Sequence, residues 1–201
     1  MIYYFFYLLK PLIWLIFRPK VYGNRKALAT KGGAIFICNH ISMADPVLLG
    51  IVSPRIIHFM AKKEIFANPI LRGFFKACFA FPVSRGTADL KSIKNAIKVL
   101  EKGGVFGIFP EGRRMVADCM DEFELGTSMI AIRTGVPVVP IYMHVRAYKM
   151  SRPKLIVGEP IYPAESHLEG ASRRENEQIF TQRIMNRMNA LKRELDDICG
   201  S

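Results

Sequence analysis

Ala34-Ile35-Phe36-Ile37-Cys38-Asn39-His40-Ile41-Ser42-Met43-Ala44-Asp45-Pro46-Val47-Leu48-Leu49 holds the key to this chain. Residues 34–38 are an unbroken apolar run, the pattern of a strand buried on both faces of a parallel sheet. The run stops at Asn39-His40. An imidazole therefore stands at the C-terminal edge of a strand, where α/β sheets place their ligands. Polar and turn-prone residues follow, and Asp45-Pro46 opens a new apolar segment, in the positions of a helix N-cap and first helical residue. Such a turn brings the Asp45 carboxylate back beside the His40 ring. A histidine oriented by a carboxylate is the core of a general base. Taken alone the stretch has a plainer reading, a loop histidine and a helix cap, so its neighbours matter.

On both sides of it, strands and helices alternate. Lys31-Gly32-Gly33 make a turn into the 34–38 strand, and 45–52 reads as a short helix. Residues 56–61 read as a strand, Lys62-Lys63-Glu64 begin a helical stretch that Pro69 interrupts, and 69–77 read as another short helix. Residues 79–83 are strand-like. Asp89 caps a helix over 90–102, with Leu90, Ile93, Ile97 and Leu100 at helical spacing and Gly103-Gly104 as its stop. Residues 105–109 form the next buried strand, 110–124 a long polar loop, and 126–134 a helix ending at Gly135. Residues 136–142 are a strand whose prolines point to a sheet edge or to strand ends, and 154–158 the last strand. The alternation argues for an α/β fold, a mostly parallel central sheet flanked by helices. Residues 172–198 form the longest helix, with Ile184, Met188, Leu191, Leu195 and Ile198 repeating at threes and fours among many arginines and lysines. That helix packs by its apolar stripe or meets a membrane or partner helix.

The 201 residues suit one domain with an appended element. Half are hydrophobic, and the formal net charge is +12. The isoelectric point near 9.7 and mean hydropathy of +0.16 describe a basic, rather apolar chain. Such a surface favours phosphates, whether in nucleic acid, anionic lipid headgroups or phosphorylated substrates. Cys38, Cys78, Cys119 and Cys199 are scattered, with no paired spacing, and read as free thiols in a reducing compartment. No metal site is expected.

Residues 1–17, Met1-Ile2-Tyr3-Tyr4-Phe5-Phe6-Tyr7-Leu8-Leu9-Lys10-Pro11-Leu12-Ile13-Trp14-Leu15-Ile16-Phe17, are almost wholly apolar and aromatic, and Arg18, Lys20, Arg25 and Lys26 follow. A signal peptide would place its charge before the apolar region and small residues at a cleavage site. A spanning helix needs about 20 uninterrupted apolar residues, and Lys10-Pro11 interrupt this one. Tyr and Trp favour the headgroup zone, and Lys and Arg reach up to phosphates. The reading is one or two short helices lying in one leaflet. A tilted span and a helix packed on the domain are its alternatives. The division is thus 1–24, a membrane-association segment, and 25–201, the α/β domain with its C-terminal helix.

Three further stretches stand at expected strand ends: Phe81-Pro82-Val83-Ser84-Arg85-Gly86, Phe109-Pro110-Glu111-Gly112-Arg113-Arg114 and Val136-Pro137-Val138-Val139-Pro140. Arginines there can fork onto phosphate oxygens. Gly112 lets backbone approach a ligand, and Glu111 can orient Arg85 or Arg114 or accept from a substrate hydroxyl. With His40 and the four residues to Asp45, these blocks resemble, in order and spacing, the four blocks of the glycerolipid acyltransferases. Over residues 30–160 the chain is similar to bacterial 1-acylglycerol-3-phosphate acyltransferases.

The resemblance implies that His40 is the general base and Asp45 its orienting partner, and that Arg85, Glu111, Gly112 and Arg114 sit at the glycerol phosphate. Arg113 stands where the family usually has Thr, Met115 where it has Ser, and Glu124 where it has Lys. Arg113 can supply the missing positive charge, or the acceptor headgroup differs. The implied reaction moves a fatty acyl group from acyl-CoA or acyl carrier protein to the sn-2 hydroxyl of lysophosphatidate, without metal or cofactor, at the cytoplasmic face of an anionic membrane. Ser42 lacks the context of a nucleophile elbow and reads as a turn residue. The rival readings are an acyltransferase for another lysolipid and a non-catalytic protein that binds anionic membranes. Nucleic-acid binding would rest on charge alone, and no nucleic-acid partner is expected.

Overall fold

In the computed structural model, residues 2–69, 72–73, 75, 80–83, 90–111, 126–149 and 152–200 are described. In chain order the elements are α1 (Ile2–Phe17), β1 (Lys20–Gly23), β2 (Ala34–Cys38), α2 (Asp45–Val52), β3 (Ile57–Lys62), β4 (Ala80–Val83), α3 (Leu90–Glu101), β5 (Val105–Ile108), α4 (Gly126–Thr134), β6 (Val138–Met143), β7 (Lys154–Val157) and α5 (Arg173–Cys199). The strands form a seven-stranded sheet in the order β1-β7-β6-β2-β5-β3-β4. Every pairing is parallel except β6 with β7.

β2 lies in the middle because all five of its residues are apolar, and it is buried throughout. Alternation across a strand divides it between two cores. Ala34, Phe36 and Cys38 pack with Leu48 and Leu49 of α2 and with Ile13 and Phe17 of α1. Ile35 and Ile37 face the opposite layer, made by Ala96, Ile97 and Leu100 of α3, Ile130 and Ala131 of α4, and Phe180, Ile184, Met188, Leu191 and Leu195 of α5. Helices thus cover both faces of a mostly parallel sheet, as the alternation of elements predicts.

Several boundaries coincide with the expected ones, among them β2, α2 and α4, the last ending at Gly135 in the left-handed region at φ +67°. The structure corrects others. β6 is an interior strand, bonded to both β2 and β7, although its prolines pointed to an edge or to strand ends. Pro140 is tolerated there because it sits at a bulge, between the pairs Val138 with Ile161 and Tyr142 with Ile156. Residues 157–160 lie opposite 139–141, one residue more on the partner side, so the missing N–H leaves no ladder bond open. β1 is an added edge strand: residues 20–23 pair with β7 and belong to the sheet, although the sequence reading grouped them with the apolar N-terminus.

α1 runs as one helix through Pro11, the first of the expected arrangements of one or two short helices. Proline there removes a single backbone bond, to the carbonyl of residue 7. The Lys10 ammonium donates to the Ser53 carbonyl, and Ile13 and Phe17 pack against the core, so α1 is fastened to α2. Leu8, Leu12, Trp14, Leu15 and Ile16 remain exposed. Among the described residues no helix is long and apolar enough to cross a membrane.

α5 starts at a capping box in which Ser172 Oγ accepts from Glu175 N and Ser172 N donates to the Glu175 carboxylate. Its stripe packs on the sheet, with Phe180 added and Ile198 left 45% exposed rather than buried. Arg173, Arg183, Arg187 and Lys192 pair with carboxylates. Packing by the apolar stripe is therefore its role in the fold. The expected Asp89 cap and the 110–124 loop, past Glu111, lie outside the described residues, as does most of the expected 69–77 helix.

Candidate active site

β2 delivers Asn39 and His40 to the C-terminal edge of the sheet, between β5 and β6. Asn39 is buried there, and its amide mimics a strand residue. Its Oδ1 accepts from Met143 N at 2.7 Å, and its Nδ2 donates to Met143 O at 2.8 Å. The β2–β6 ladder is thereby extended past the last strand residue, which fixes the direction in which the chain enters His40.

His40 Nδ1 lies 2.7 Å from Asp45 Oδ2. A carboxylate only accepts, so Nδ1 carries a proton, and in the neutral ring the lone pair is on Nε2. Asp45 is fully buried, and three more donors converge on it: Ile41 N at 2.7 Å and Ser42 N at 2.8 Å on Oδ2, and the Tyr148 hydroxyl at 2.8 Å on Oδ1. Fixed dipoles thus replace water around the carboxylate. The expected adjacency exists, through a different local geometry. Ala44 is the N-cap, Asp45 is the first helical residue and Pro46 the second. Asp45 N donates to Ser42 O in a tight turn, and its carboxylate reaches back over residues 41–42.

The His40 ring stacks on Phe109, with centroids 4.3 Å apart and planes inclined by 24°, and Phe109 stacks on Phe59 at 5.8 Å. This floor leaves the His40 side chain 15% exposed beside a wholly buried partner. Glu111, two residues past Phe109, is 6% exposed. Burial, followed by the charges of Asp45 and Glu111, pushes the Cys38 thiol well up, so Cys38 stays a neutral thiol beneath the site. His40, Asp45 and Glu111 are therefore gathered around the end of β2. Arg85, Gly112, Arg113 and Arg114 lie outside the described residues. Ser42 is the turn residue expected: its Oγ accepts from Ala44 N at 3.2 Å.

Sequence reasoning missed Tyr148. It stands 103 residues from Asp45, in the turn after β6, and nothing in its neighbourhood announces it. Asn39 was quoted but given no role. An open cleft of about 640 Å³ lies along β1, bounded by Trp14 of α1, Ile51 and Val52 of α2, and Lys20, Arg25 and Arg152. Neither His40 nor Asp45 lines it, so the cleft is separate from that pair. Among the described residues no cluster of three or more His, Cys, Asp or Glu side chains is placed to hold a metal ion.

Residues 18–144 match the family model described as Acyltransferase. The chain belongs to the acyltransferase family. It is 34% identical to the 1-acyl-sn-glycerol-3-phosphate acyltransferase of Bacillus subtilis (strain 168) over 197 residues, 94% of this chain and 96% of that protein. Proteins of the same description from Cocos nucifera and Streptococcus pneumoniae are 30% and 32% identical, over 67% and 65% of this chain. The matched region spans 44% and 49% of those longer relatives. The crystal structure of the 1-acyl-sn-glycerophosphate acyltransferase PlsC from Thermotoga maritima superimposes with a TM-score of 0.70, covering 99% of this chain and 80% of that one. At 20% identity this likeness establishes the shared fold.

Proposed function

We propose that this acyltransferase moves a fatty acyl group from a thioester, acyl-CoA or acyl carrier protein, to the sn-2 hydroxyl of 1-acylglycerol 3-phosphate, giving phosphatidate. The observation that carries the chemistry is the 2.7 Å contact of His40 Nδ1 with Asp45 Oδ2. It leaves Nε2 to take the proton of the acceptor hydroxyl. The hydroxyl oxygen then attacks the thioester carbonyl, and the tetrahedral intermediate collapses as the C–S bond breaks. The departing thiolate is protonated from the imidazolium, which Asp45 stabilises in the meantime. Every proton is accounted for without a metal or cofactor. The relatives described as 1-acyl-sn-glycerol-3-phosphate acyltransferases support lysophosphatidate as acceptor. Arg85, Glu111, Gly112, Arg113 and Arg114 would meet its glycerol phosphate, by their match to the family's blocks.

Residues 1–17 act in this reading as the membrane-association segment of an enzyme on the cytoplasmic face of the membrane, monotopic or peripheral, with β1 left to the sheet. The exposed Leu8, Leu12, Leu15 and Ile16 suit one leaflet, and Arg18, Lys20 and Arg25 suit its anionic headgroups.

The test is an assay of purified protein in vesicles with labelled acyl-CoA or acyl carrier protein and a panel of lysolipids. Transfer to lysophosphatidate is expected, falling about 10²–10⁴-fold in His40→Ala. Transfer to another lysolipid alone would move the acceptor assignment. An active His40→Ala would remove the base.

A further inference from the structure

Asp45 binds His40 through one oxygen, and that oxygen already receives two backbone N–H groups from the turn. The second oxygen, Oδ1, is met by Tyr148. Tyr148 stands on the 3-10 turn Ala147–Lys149, directly after β6. β6 also holds Asn39, through both polar atoms of the Met143 backbone. The loop from 39 to 45 is therefore clamped twice to the exit of one strand: at its start through Asn39, and at its end through Tyr148 and Asp45.

We propose that Tyr148 is a positioning residue for the reacting pair: its hydroxyl, donated to Asp45 Oδ1, holds the carboxylate in the orientation from which Oδ2 meets His40 Nδ1. The geometry gives the hydroxyl two effects. It stops rotation of the carboxylate about its Cβ–Cγ bond, because Asp45 is fully buried and Oδ1 would lose its donor by turning. It also draws electron density from the carboxylate, which makes Asp45 a weaker acceptor for the imidazole proton. A hydroxyl is suited to this because burial and the neighbouring carboxylate push the phenol far up, so it stays protonated and donates. Among the described residues, the ionisable groups that act on Cys38 and Tyr148 beside the pair are Asp45 on α2, Cys38 at the end of β2 and Glu111 past β5. Replacing the Tyr148 hydroxyl leaves the charge of each of the others unchanged.

This inference rests on the reading of His40 as the base, and two measurements keep them apart. Tyr148→Phe retains the ring and deletes the hydroxyl. In His40 titration followed by NMR, with no substrate present, the Phe variant should titrate at higher pH than the parent, because a carboxylate with one donor fewer holds imidazolium more tightly. In the acyl-transfer assay its kcat should fall about tenfold at unchanged acceptor KM, the scale of one hydrogen bond to a charged group. The acid limb of kcat/KM should move to higher pH with the NMR value. Tyr148→Leu, which deletes ring and hydroxyl together, reports packing. A Phe variant matching the parent in titration and rate, beside a damaged Leu variant, would show that Tyr148 only fills space and would overturn the proposal. A shifted titration in a protein whose His40→Ala variant still turns over would uphold the positioning and refute the base.

Discussion

Asp45→Asn removes one charge from a site whose donors decide how the replacement must sit. Ile41 N and Ser42 N, at 2.7 and 2.8 Å, both point at the position of Oδ2. An amide nitrogen there would face two donors, so the Asn oxygen takes that place and still accepts from His40 Nδ1. Its amino group then faces Tyr148, whose hydroxyl can turn to accept. The tautomer of His40 is thereby preserved, and what is lost is the attraction between carboxylate and imidazolium. For charge centres about 4 Å apart at an effective dielectric of about 20, that attraction is about 4 kcal/mol. The retained neutral hydrogen bond returns about 1 kcal/mol, so kcat should fall about 10²-fold. The assay is acyl transfer to lysophosphatidate at saturating acceptor, with denaturant melts to confirm folding. The double variant with His40→Ala should be no slower than His40→Ala alone, since the two residues act as a unit. An Asn variant within threefold of the parent, or a double variant whose losses multiply, would refute the coupling.

Asn39→Ala should cost about 2–4 kcal/mol of stability in urea melts, because it leaves the buried Met143 N and O without their side-chain partner. In Gly107→Ala, the new Cβ would lie 2.4 Å from Phe59 Cε1 and 2.7 Å from Ile57 Cγ2. Overpacking of about 1–3 kcal/mol should follow, together with a fall in kcat, since Phe59 supports the Phe109 floor under His40. His58 is held below its usual value by burial, so the folded protein prefers it neutral. The unfolded chain binds that proton more readily below about pH 6.5, and stability should fall as pH drops through that value. In melts from pH 7.5 to 5, His58→Gln should show a shallower fall than the parent. An identical slope would remove His58 from the acid sensitivity.

The parts legible in the sequence were those whose signal is local. The apolar run 34–38, the Asp-Pro opening of α2 and the glycine that stops α4 each carry their physics within a few residues, and their boundaries fell where expected. β1 was missed because a four-residue edge strand among charges has too little periodicity to register. The interior place of β6 was missed because a proline is compatible with a central strand only at a bulge, and the bulge belongs to the partner segment 157–160. Ile198 fits the spacing of the α5 stripe, yet the helix outruns the sheet that would bury it.

For the site the same line divides what could be read from what could not. Residue order by itself pointed to the pairing of His40 with Asp45, because an imidazole and a carboxylate five positions apart across a tight turn have few ways to avoid one another. Only the folded molecule decided how that pair is held. Asn39 reaches Met143, Tyr148 reaches Asp45, and the ring floor of Phe109 and Phe59 lies under His40, all across sequence separations that no local pattern records. The reason is that a hydrogen bond depends on distance in space. A parallel sheet brings distant strand ends to one edge, and that edge is where the imidazole stands.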